Sequence, residues 1–211
     1  EVVAVTMGPE TAVRALHKAV SLGADRSTHL TDEGLAGSDV NGTGYALAKV
    51  LESEQPDLVL LGQQSDDGEC YTIGAVVADH LKMPSLTQVI KMDVEGGKLR
   101  CERQAEYGYD TVEVALPAVI SVGDAINEPR YPSLKAIMGA KNRPLETKPP
   151  GHGGIVHMTK RRGSDPIVRN WKWVPVGILR AFPAATSTTA KEHARSPSAC
   201  TTALTWATRC A

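Results

Sequence analysis

The sequence predicts an α/β fold with a mostly parallel sheet, flanking helices and one antiparallel ribbon. Up to about residue 82, short apolar runs alternate with segments of helical period. The run at residues 58–61 (LVLL) is continuously apolar, as expected for a parallel strand covered on both faces. After Pro84 the period falls to two residues, which indicates strands with one exposed face. Repeated strand–helix units followed by such a ribbon define the α/β class.

The first strand–helix unit is short and clearly bounded. Residues 2–6 form an apolar run, and Pro9 suits the first turn of the helix that follows, where a missing N–H costs nothing. Apolar residues at helical spacing continue over residues 12–20, and Gly23 ends them. A strand that begins at residue 2, in a chain without a starting Met, leads us to expect that further residues precede it in the natural protein.

The next units repeat this pattern. Residues 26–30 can form a second strand, and Ser38 or Asp39 can cap a helix that runs to about residue 54. The strand at residues 58–61 is followed by a loop and a predicted helix at residues 70–82. Ligands of such sheets bind at the carboxyl ends of the strands, so the loop after this third strand is a candidate site.

The remainder of the α/β part is less regular. Apolar and polar residues alternate over residues 111–116, as in a half-exposed ribbon. Residues 118–122 (AVISV) return to a buried strand. Residues 124–145 hold three prolines and only one short helical piece.

Charge divides the chain near residue 147. Residues 1–146 carry 13 Lys and Arg against 22 Asp and Glu, a net charge of −9. Residues 147–211 carry 10 against 2, a net charge of +8, and hold all three Trp and the only Phe. We therefore predict an α/β domain over residues 1–146 and an irregular basic tail over residues 147–211. The tail is expected to be disordered, or not to be native coding sequence.

Several classes of function are disfavoured. No run of about 18 apolar residues is present, so no membrane insertion is predicted. The four cysteines lie far apart without a CxxC pair, and His152 and His157 lack flanking ligands, so neither a disulfide framework nor a metal site is indicated. The basic residues of the tail are not clustered beyond residues 160–162, which disfavours a nucleic-acid arm.

Four segments together resemble a known family. The strings AVTMGPE and AVSLGADRSTHL, the loop LVLLGQQSDDGECYTIG and the long string NEPRYPSLKAIMGAK resemble the beta subunit of electron transfer flavoprotein, the FixA-type family. The resemblance covers about residues 1–146, and roughly the first sixty residues of the family are absent. It implies a Rossmann-like, adenine-nucleotide-binding fold.

The resemblance also implies a function. The chain would be an electron carrier without acid–base catalysis of its own and without catalytic residues. It would form a heterodimer with an alpha subunit that holds most of an FAD, and would bury an AMP, or a second FAD in electron-bifurcating relatives. Acyl-CoA and related dehydrogenases of fatty acid oxidation would donate electrons, and a quinone reductase would receive them. The location would be the bacterial cytoplasm or the mitochondrial matrix.

The resemblance places the nucleotide in the loop after the third strand and at a glycine turn after the first. A helix N-terminus offers free N–H groups and partial positive charge, which would receive phosphate without any Lys or Arg. The Thr72 hydroxyl is a further donor, and Asp67 an acceptor for ribose hydroxyls. Alternatively, Asp66 or Asp67 simply caps the helix. The expected cofactor-binding residues are Met7, Gly8, Gly62, Gln63, Gln64, Ser65, Asp66, Asp67, Gly68, Glu69, Cys70, Tyr71, Thr72 and Ile73.

The resemblance also implies a partner-binding segment on a proline-stiffened loop. Leu134 matches the anchor residue that inserts into a partner dehydrogenase, and a stiff loop loses little entropy on docking. Alternatively, Leu134 and Ile137 pack inward as helix core. The expected partner-binding residues are Asn127, Glu128, Pro129, Arg130, Tyr131, Pro132, Ser133, Leu134, Lys135, Ile137 and Met138.

Two other functions fit an α/β fold of this kind. One is an adenine-nucleotide-binding enzyme such as a pyrophosphatase, which would need a phosphate loop rich in Ser and Gly near residue 8. The other is a non-catalytic nucleotide sensor, which would not explain the segment at residues 126–138. We favour the electron-carrier interpretation over both.

Overall fold

The computed structural model describes residues 1–65, 69–128 and 131–149, and the backbone of residues 174–179. Nine strands form one sheet in the order β6-β5-β4-β7-β3-β9-β1-β2-β8. The strands are β1 (Val2–Met7), β2 (Arg26–Leu30), β3 (Leu58–Gly62), β4 (Ser85–Glu95), β5 (Lys98–Ala105), β6 (Gly108–Ala115), β7 (Ala118–Val122), β8 (Leu145–Lys148) and β9 (Val174–Leu179). The helices are α1 (Val13–Leu22), α2 (Val40–Glu54), α3 (Ile73–Leu81) and α4 (Leu134–Ala140).

The sheet is parallel on either side of a central antiparallel strand, β9, and becomes antiparallel at the β6 end. Strand β1 pairs with β2 and β2 with β8 in parallel, and β3 and β4 both pair in parallel with β7. The successive pairs of β4 with β5 and β5 with β6 are antiparallel. The predicted fold class, with its antiparallel ribbon, is therefore confirmed.

Two apolar cores cover the two faces of the sheet. In β3, Leu58 and Leu60 join a core that includes residues of α1 and α4, whereas Val59 and Leu61 join a core with residues of α2 and α3. All four side chains are buried. This arrangement explains the continuous apolar run, because a strand with helices on both faces has no side exposed to water.

The helix boundaries follow from local capping. Asp39, one of two predicted caps, accepts a hydrogen bond from the Gly42 N–H at 2.7 Å and begins α2. Helix α3 begins at Ile73, three residues later than predicted. Glu69 has a left-handed backbone with φ of +43°, and residues 70–72 turn the chain before the helix begins.

Strand β9 lies in the segment where the sequence shows no regular period. It pairs antiparallel with both β1 and β3, and so lies in the middle of the sheet. Its residues, VPVGIL, include a proline and a glycine, which disfavour a central strand in sequence reasoning. Pro175 lies opposite Thr6 of β1 and beyond the last pair with β3, Leu61 with Val176. The missing N–H of Pro175 therefore removes no hydrogen bond between β9 and β3.

No helix within the described residues is both long and apolar enough to cross a membrane.

Candidate functional site

The two predicted nucleotide segments lie at the same edge of the sheet. Strands β1 and β3 both run antiparallel to β9, so they are parallel to each other, and both carboxyl ends face one edge. One strand separates them, so the carboxyl ends of β1 and β3 lie about 10 Å apart across the sheet. The sheet thus brings together two segments that are more than fifty residues apart in sequence.

The glycine turn after β1 is held by two hydrogen bonds. The Gly8 N–H donates to the Leu30 carbonyl oxygen at 3.0 Å, so the turn is tied to the end of β2. The Nε2 atom of His29 lies 3.0 Å from the Gly8 carbonyl oxygen. Met7, just before the turn, is buried in the core of α2 and α3. His29 is buried and makes this contact from β2.

The loop after β3 starts from a well-fixed strand end. The Ser121 hydroxyl of β7 donates to the Gly62 carbonyl oxygen at 3.2 Å, and Gly62 is buried. The Glu69 N–H donates to the Ser65 carbonyl oxygen at 3.0 Å, which closes the loop on itself. Gln63, Gln64 and Ser65 are half-buried. The expected contacts of Asp66, Asp67 and Gly68 lie outside the described residues.

The end of the loop places polar groups at the start of α3. The Cys70 sulfur lies 2.9 Å from the Thr72 hydroxyl oxygen. Thr72 occupies the N-cap position, and among the described residues no side chain caps this helix. The N–H groups of the first turn lack partners inside the helix, as at any helix start. Ile73 is buried in the core, whereas Tyr71 is exposed. The chemistry available here is main-chain hydrogen-bond donation at a positive helix terminus.

A cavity of about 330 Å³ adjoins the start of this loop. Among the expected site residues that the structure describes, only Gln63 lines it. Sequence reasoning missed its other polar residues, which come from β4, the end of β5 and the end of β7. They are Gln88, Gln104, Glu106 and Asp124. One signal was present: buried residues Leu86, Val89 and Met92 recur every three positions in β4, which breaks the period of a regular strand.

The expected partner-binding segment is largely exposed. Leu134 is 74% exposed, and Tyr131, Ile137 and Met138 are also exposed. Ser133 caps α4 by accepting a hydrogen bond from the Ala136 N–H at 3.2 Å. Ala140 is the buried residue of this helix. The alternative in which Leu134 and Ile137 form helix core is therefore wrong.

The other residues of this segment that the structure describes are exposed or half-buried. Glu128 and Lys135 are exposed, and Asn127 and Pro132 are half-buried. The expected contacts of Pro129 and Arg130 lie outside the described residues. A row of large apolar side chains on a short exposed helix is typical of a surface that binds another protein.

The described part of the chain contains no group of three or more His, Cys, Asp or Glu side chains placed to hold a metal ion.

The fold and this edge define the class of protein. It is a doubly wound α/β domain in which a glycine turn and a strand–loop–helix junction meet at the carboxyl edge of the sheet. A family model described as the electron transfer flavoprotein domain matches residues 1–151. The chain belongs to this family.

Curated proteins similar to this chain include beta subunits of electron transfer flavoprotein. The chain is 48% identical over 143 residues to that of Mycobacterium tuberculosis (strain ATCC 25618 / H37Rv), a match that covers 67% of this chain and 54% of the relative. It is 41% identical to that of Thermoanaerobacterium thermosaccharolyticum, covering 68% and 55%. It is 37% identical over 157 residues to the Homo sapiens protein, covering 74% and 62%. The chain thus spans about half the length of the bacterial relatives.

Proposed function

We propose that this chain acts as the electron-carrier beta subunit of an electron transfer flavoprotein. It pairs with a flavin-holding alpha subunit, accepts electrons from acyl-CoA and related dehydrogenases, and delivers them to a quinone reductase. One observation supports the proposal most strongly. The Gly8 turn and the loop at residues 62–73 lie at the same carboxyl edge of the sheet, and the chain belongs to this family.

This edge suits an adenylate. The glycine at position 8 allows a planar base to approach the main chain closely. The start of α3 supplies N–H donors and partial positive charge for a phosphate. Phosphate recognition here requires no Lys or Arg, which agrees with the acidic composition of the loop. The ligand is AMP, or the adenylate half of a second FAD.

The redox chemistry belongs to the FAD shared with the alpha subunit, which takes up and releases the electrons. The residues of this chain bind and orient, and no acid–base pair of its own is required. Such a carrier works in the bacterial cytoplasm or the mitochondrial matrix, beside its donor dehydrogenases.

The exposed segment around Leu134 is the docking site for those dehydrogenases. Leu134, Ile137 and Met138 lie on a helix fixed by its Ser133 cap and by the buried Ala140. Because the helix is already ordered, binding a groove on a partner costs little further entropy. Lys135, exposed beside Leu134, favours an acidic rim on the partner.

Co-expression with a flavin-holding alpha subunit tests the proposal. We expect a yellow complex with one copy of each subunit, and AMP or additional FAD released on denaturation in proportion to this chain. The readouts are size-exclusion chromatography with absorbance near 450 nm, followed by chromatography of the released nucleotides. A colourless chain that elutes apart from a folded, flavin-loaded alpha subunit would contradict the proposal.

A further inference from the structure

The cavity beside Gln63 has a lining of unusual chemistry, and we refer to it as the amide pocket. Its polar residues are Gln63, Gln88, Gln104, Glu106 and Asp124, and Gly123 forms part of its wall. A Cβ at Gly123 would lie in ordinary van der Waals contact, 3.7 Å from both Gln63 Oε1 and Ile90 Cγ2. The pocket lies outside the adenylate edge of β1 and shares only Gln63 with the expected nucleotide loop.

A β-bulge forms the β4 side of the pocket. The register of β4 against β7 shifts between Leu86 and Val89, and Gln88 within the bulge has φ of +58°. This left-handed conformation is unfavourable for a residue with a side chain. The Gly123 N–H fixes the bulge by donating to the Val89 carbonyl oxygen at 2.9 Å. Bulges of this kind redirect side chains, and here Gln88 lines the pocket.

The lining offers acceptors and negative charge without a compensating cation. Glu106 and Asp124 make no ion pair within the described residues. The nearest cations in sequence have other partners. Lys91 pairs with Glu102 at 3.1 Å, and Arg103 pairs with Asp110 at 3.1 Å. The described residues that line the pocket include no Lys or Arg.

This chemistry selects among ligand classes. A phosphate would be repelled by the two carboxylates. A neutral sugar would gain no attraction from the negative charge of the two carboxylates. A guanidinium carries positive charge and five N–H donors in one plane, which can reach amide and carboxylate oxygens on several walls at once. Ile90 and Ala105, the apolar part of the lining, would contact the methylene groups of an arginine stem.

We propose that the amide pocket receives the guanidinium group of an arginine presented by the flavin-holding alpha subunit. The pocket shares Gln63 with the loop at the carboxyl edge, so a subunit that covers this edge also reaches the pocket. The choice of partner rests on the proposed function, whereas the choice of a guanidinium rests on the lining alone. The contact would orient the two subunits.

The lining is tested first on the full chain alone, with N-acetyl-arginine amide as the probe. Side-chain amide signals of glutamine in NMR spectra report binding, and N-acetyl-citrulline amide is the uncharged control of the same shape. We expect the arginine probe to shift glutamine amide signals and to bind at least fivefold more tightly than the citrulline probe. Equal binding of the two probes, or binding of neither, would overturn the proposal whether or not a flavin-loaded complex forms.

Two variants locate the binding. Gln88→Gly removes one amide and relieves the left-handed backbone, so the fold is not weakened. Gln55→Gly is the matched control, since Gln55 has φ of +47° at the end of α2 and does not line the pocket. We expect at least a threefold loss of affinity for the arginine probe in Gln88→Gly and in Glu106→Gln, and none in Gln55→Gly. Wild-type affinity in both pocket variants would refute the assignment.

The partner is tested in the complex. If an arginine of the alpha subunit occupies the pocket, Glu106→Gln should raise the dissociation constant of the two subunits at least fivefold, with flavin content per complex unchanged. An unchanged dissociation constant would exclude the alpha subunit as the source of the arginine. Failure of the subunits to associate at all would instead count against the proposed function.

Discussion

The imidazole of His29 lies 3.0 Å from the carbonyl oxygen of Gly8, with His29 almost fully buried in β2. With the proton on Nε2, the ring donates a hydrogen bond to this carbonyl. The turn that follows β1 is thus fixed by a side chain from the neighbouring strand. Because His29 contacts the turn, we propose that it is a positioning residue for the adenylate.

Replacing His29 should loosen this turn. His29→Leu leaves the Gly8 carbonyl without its side-chain donor, and we expect a loss of about 1–3 kcal/mol in unfolding free energy. AMP affinity should fall in the same variant. His29→Gln carries an amide N–H near the position of Nε2 and should recover most of the AMP affinity. Urea unfolding and calorimetric titration with AMP check both effects. Equal AMP affinity in the leucine and glutamine variants would show that the hydrogen bond does not position the turn.

Bound nucleotide should protect one cysteine and leave another unaffected. Cys70 is partly exposed at the end of the proposed nucleotide loop, whereas Cys101 is fully buried in β5. Burial, with a smaller contribution from Asp93, raises the pKa of Cys101 to about 11. At pH 8 only about one Cys101 thiol in a thousand is ionised, so it should react very slowly. We expect saturating AMP to slow iodoacetamide labelling of Cys70 severalfold, measured by peptide mass spectrometry. Undiminished labelling of Cys70 would place the nucleotide elsewhere.

Leu134 should matter for partner binding and not for folding. Because its side chain is 74% exposed, Leu134→Ala should change the unfolding free energy by no more than about 0.5 kcal/mol. An anchor residue in a groove contributes about 2 kcal/mol or more, so the dehydrogenase affinity should fall roughly thirtyfold. The measurements are the rate of dye reduction coupled through the complex and the flavin content, which should not change. Leu145→Ala, on the exposed strand β8, is the control. Equal rates in the two variants would remove Leu134 from the docking site.

The order and type of most elements follow from sequence because burial imposes a clear period. The run at residues 58–61 is apolar since it is covered on both faces, and Asp39 begins α2 because its carboxylate accepts from a free N–H. The sequence places the start of α3 too early, because neither the left-handed backbone of Glu69 nor the turn after it leaves a pattern in hydrophobicity. Strand β9 was missed because its pairing partners are remote in sequence, and only those partners make VPVGIL a central strand.

The sequence predicts those parts of the candidate site that lie within one continuous segment of the chain. The Gly8 turn and the loop after β3 each lie at a strand end, so topology alone places them at one edge. The amide pocket combines β4, β5 and β7 with this loop, and no local pattern links Gln88, Gln104 and Asp124. His29 could not be assigned a role either, because its contact with Gly8 depends on the pairing of β1 with β2.

A buried ion cluster should make stability sensitive to acid. The Glu54 side chain is only 5% exposed. Its carboxylate pairs with the Arg26 guanidinium at 2.5 Å and with the Lys148 ammonium group at 3.2 Å. Burial acts to raise the pKa of Glu54, but hydrogen bonds from Arg26 and Lys148 outweigh it and hold this pKa below its ordinary value. The stabilisation is therefore present above the ordinary pKa of about 4.3 and is lost as pH falls through the lower folded-state value.

Glu54→Gln should reveal this contribution. We expect a loss of about 2 kcal/mol at pH 7, less than for a fully buried pair because both cations are partly exposed. The variant should also lose less stability than wild type between pH 5 and pH 3. Glu52→Gln, which breaks an exposed pair with Lys49, should leave the unfolding free energy close to that of the wild type. Urea unfolding across this pH range measures both, and parallel pH profiles for wild type and Glu54→Gln would contradict the assignment.

Strand β9 should be required for a closed sheet. It is the only described strand between β1 and β3, and both flanking strands are fully buried on their faces. A chain that ends at Pro149 would leave main-chain donors and acceptors of both strands without partners, at two edges rich in apolar residues. Such edges pair readily with other chains. We therefore expect residues 1–149 to aggregate or self-associate at concentrations where the full chain is monomeric, as measured by light scattering.

A second, shorter truncation distinguishes the loss of β9 from the loss of the residues that follow it. A chain that ends at residue 179 keeps β9 and discards the remaining residues, so it should retain the unfolding midpoint of the full chain. If both truncated chains remained monomeric with the same midpoint, β9 would not close the sheet in solution. If only the chain that ends at Pro149 associates, the pairing of β9 with β1 and β3 accounts for the difference, because the two truncations share everything up to residue 149.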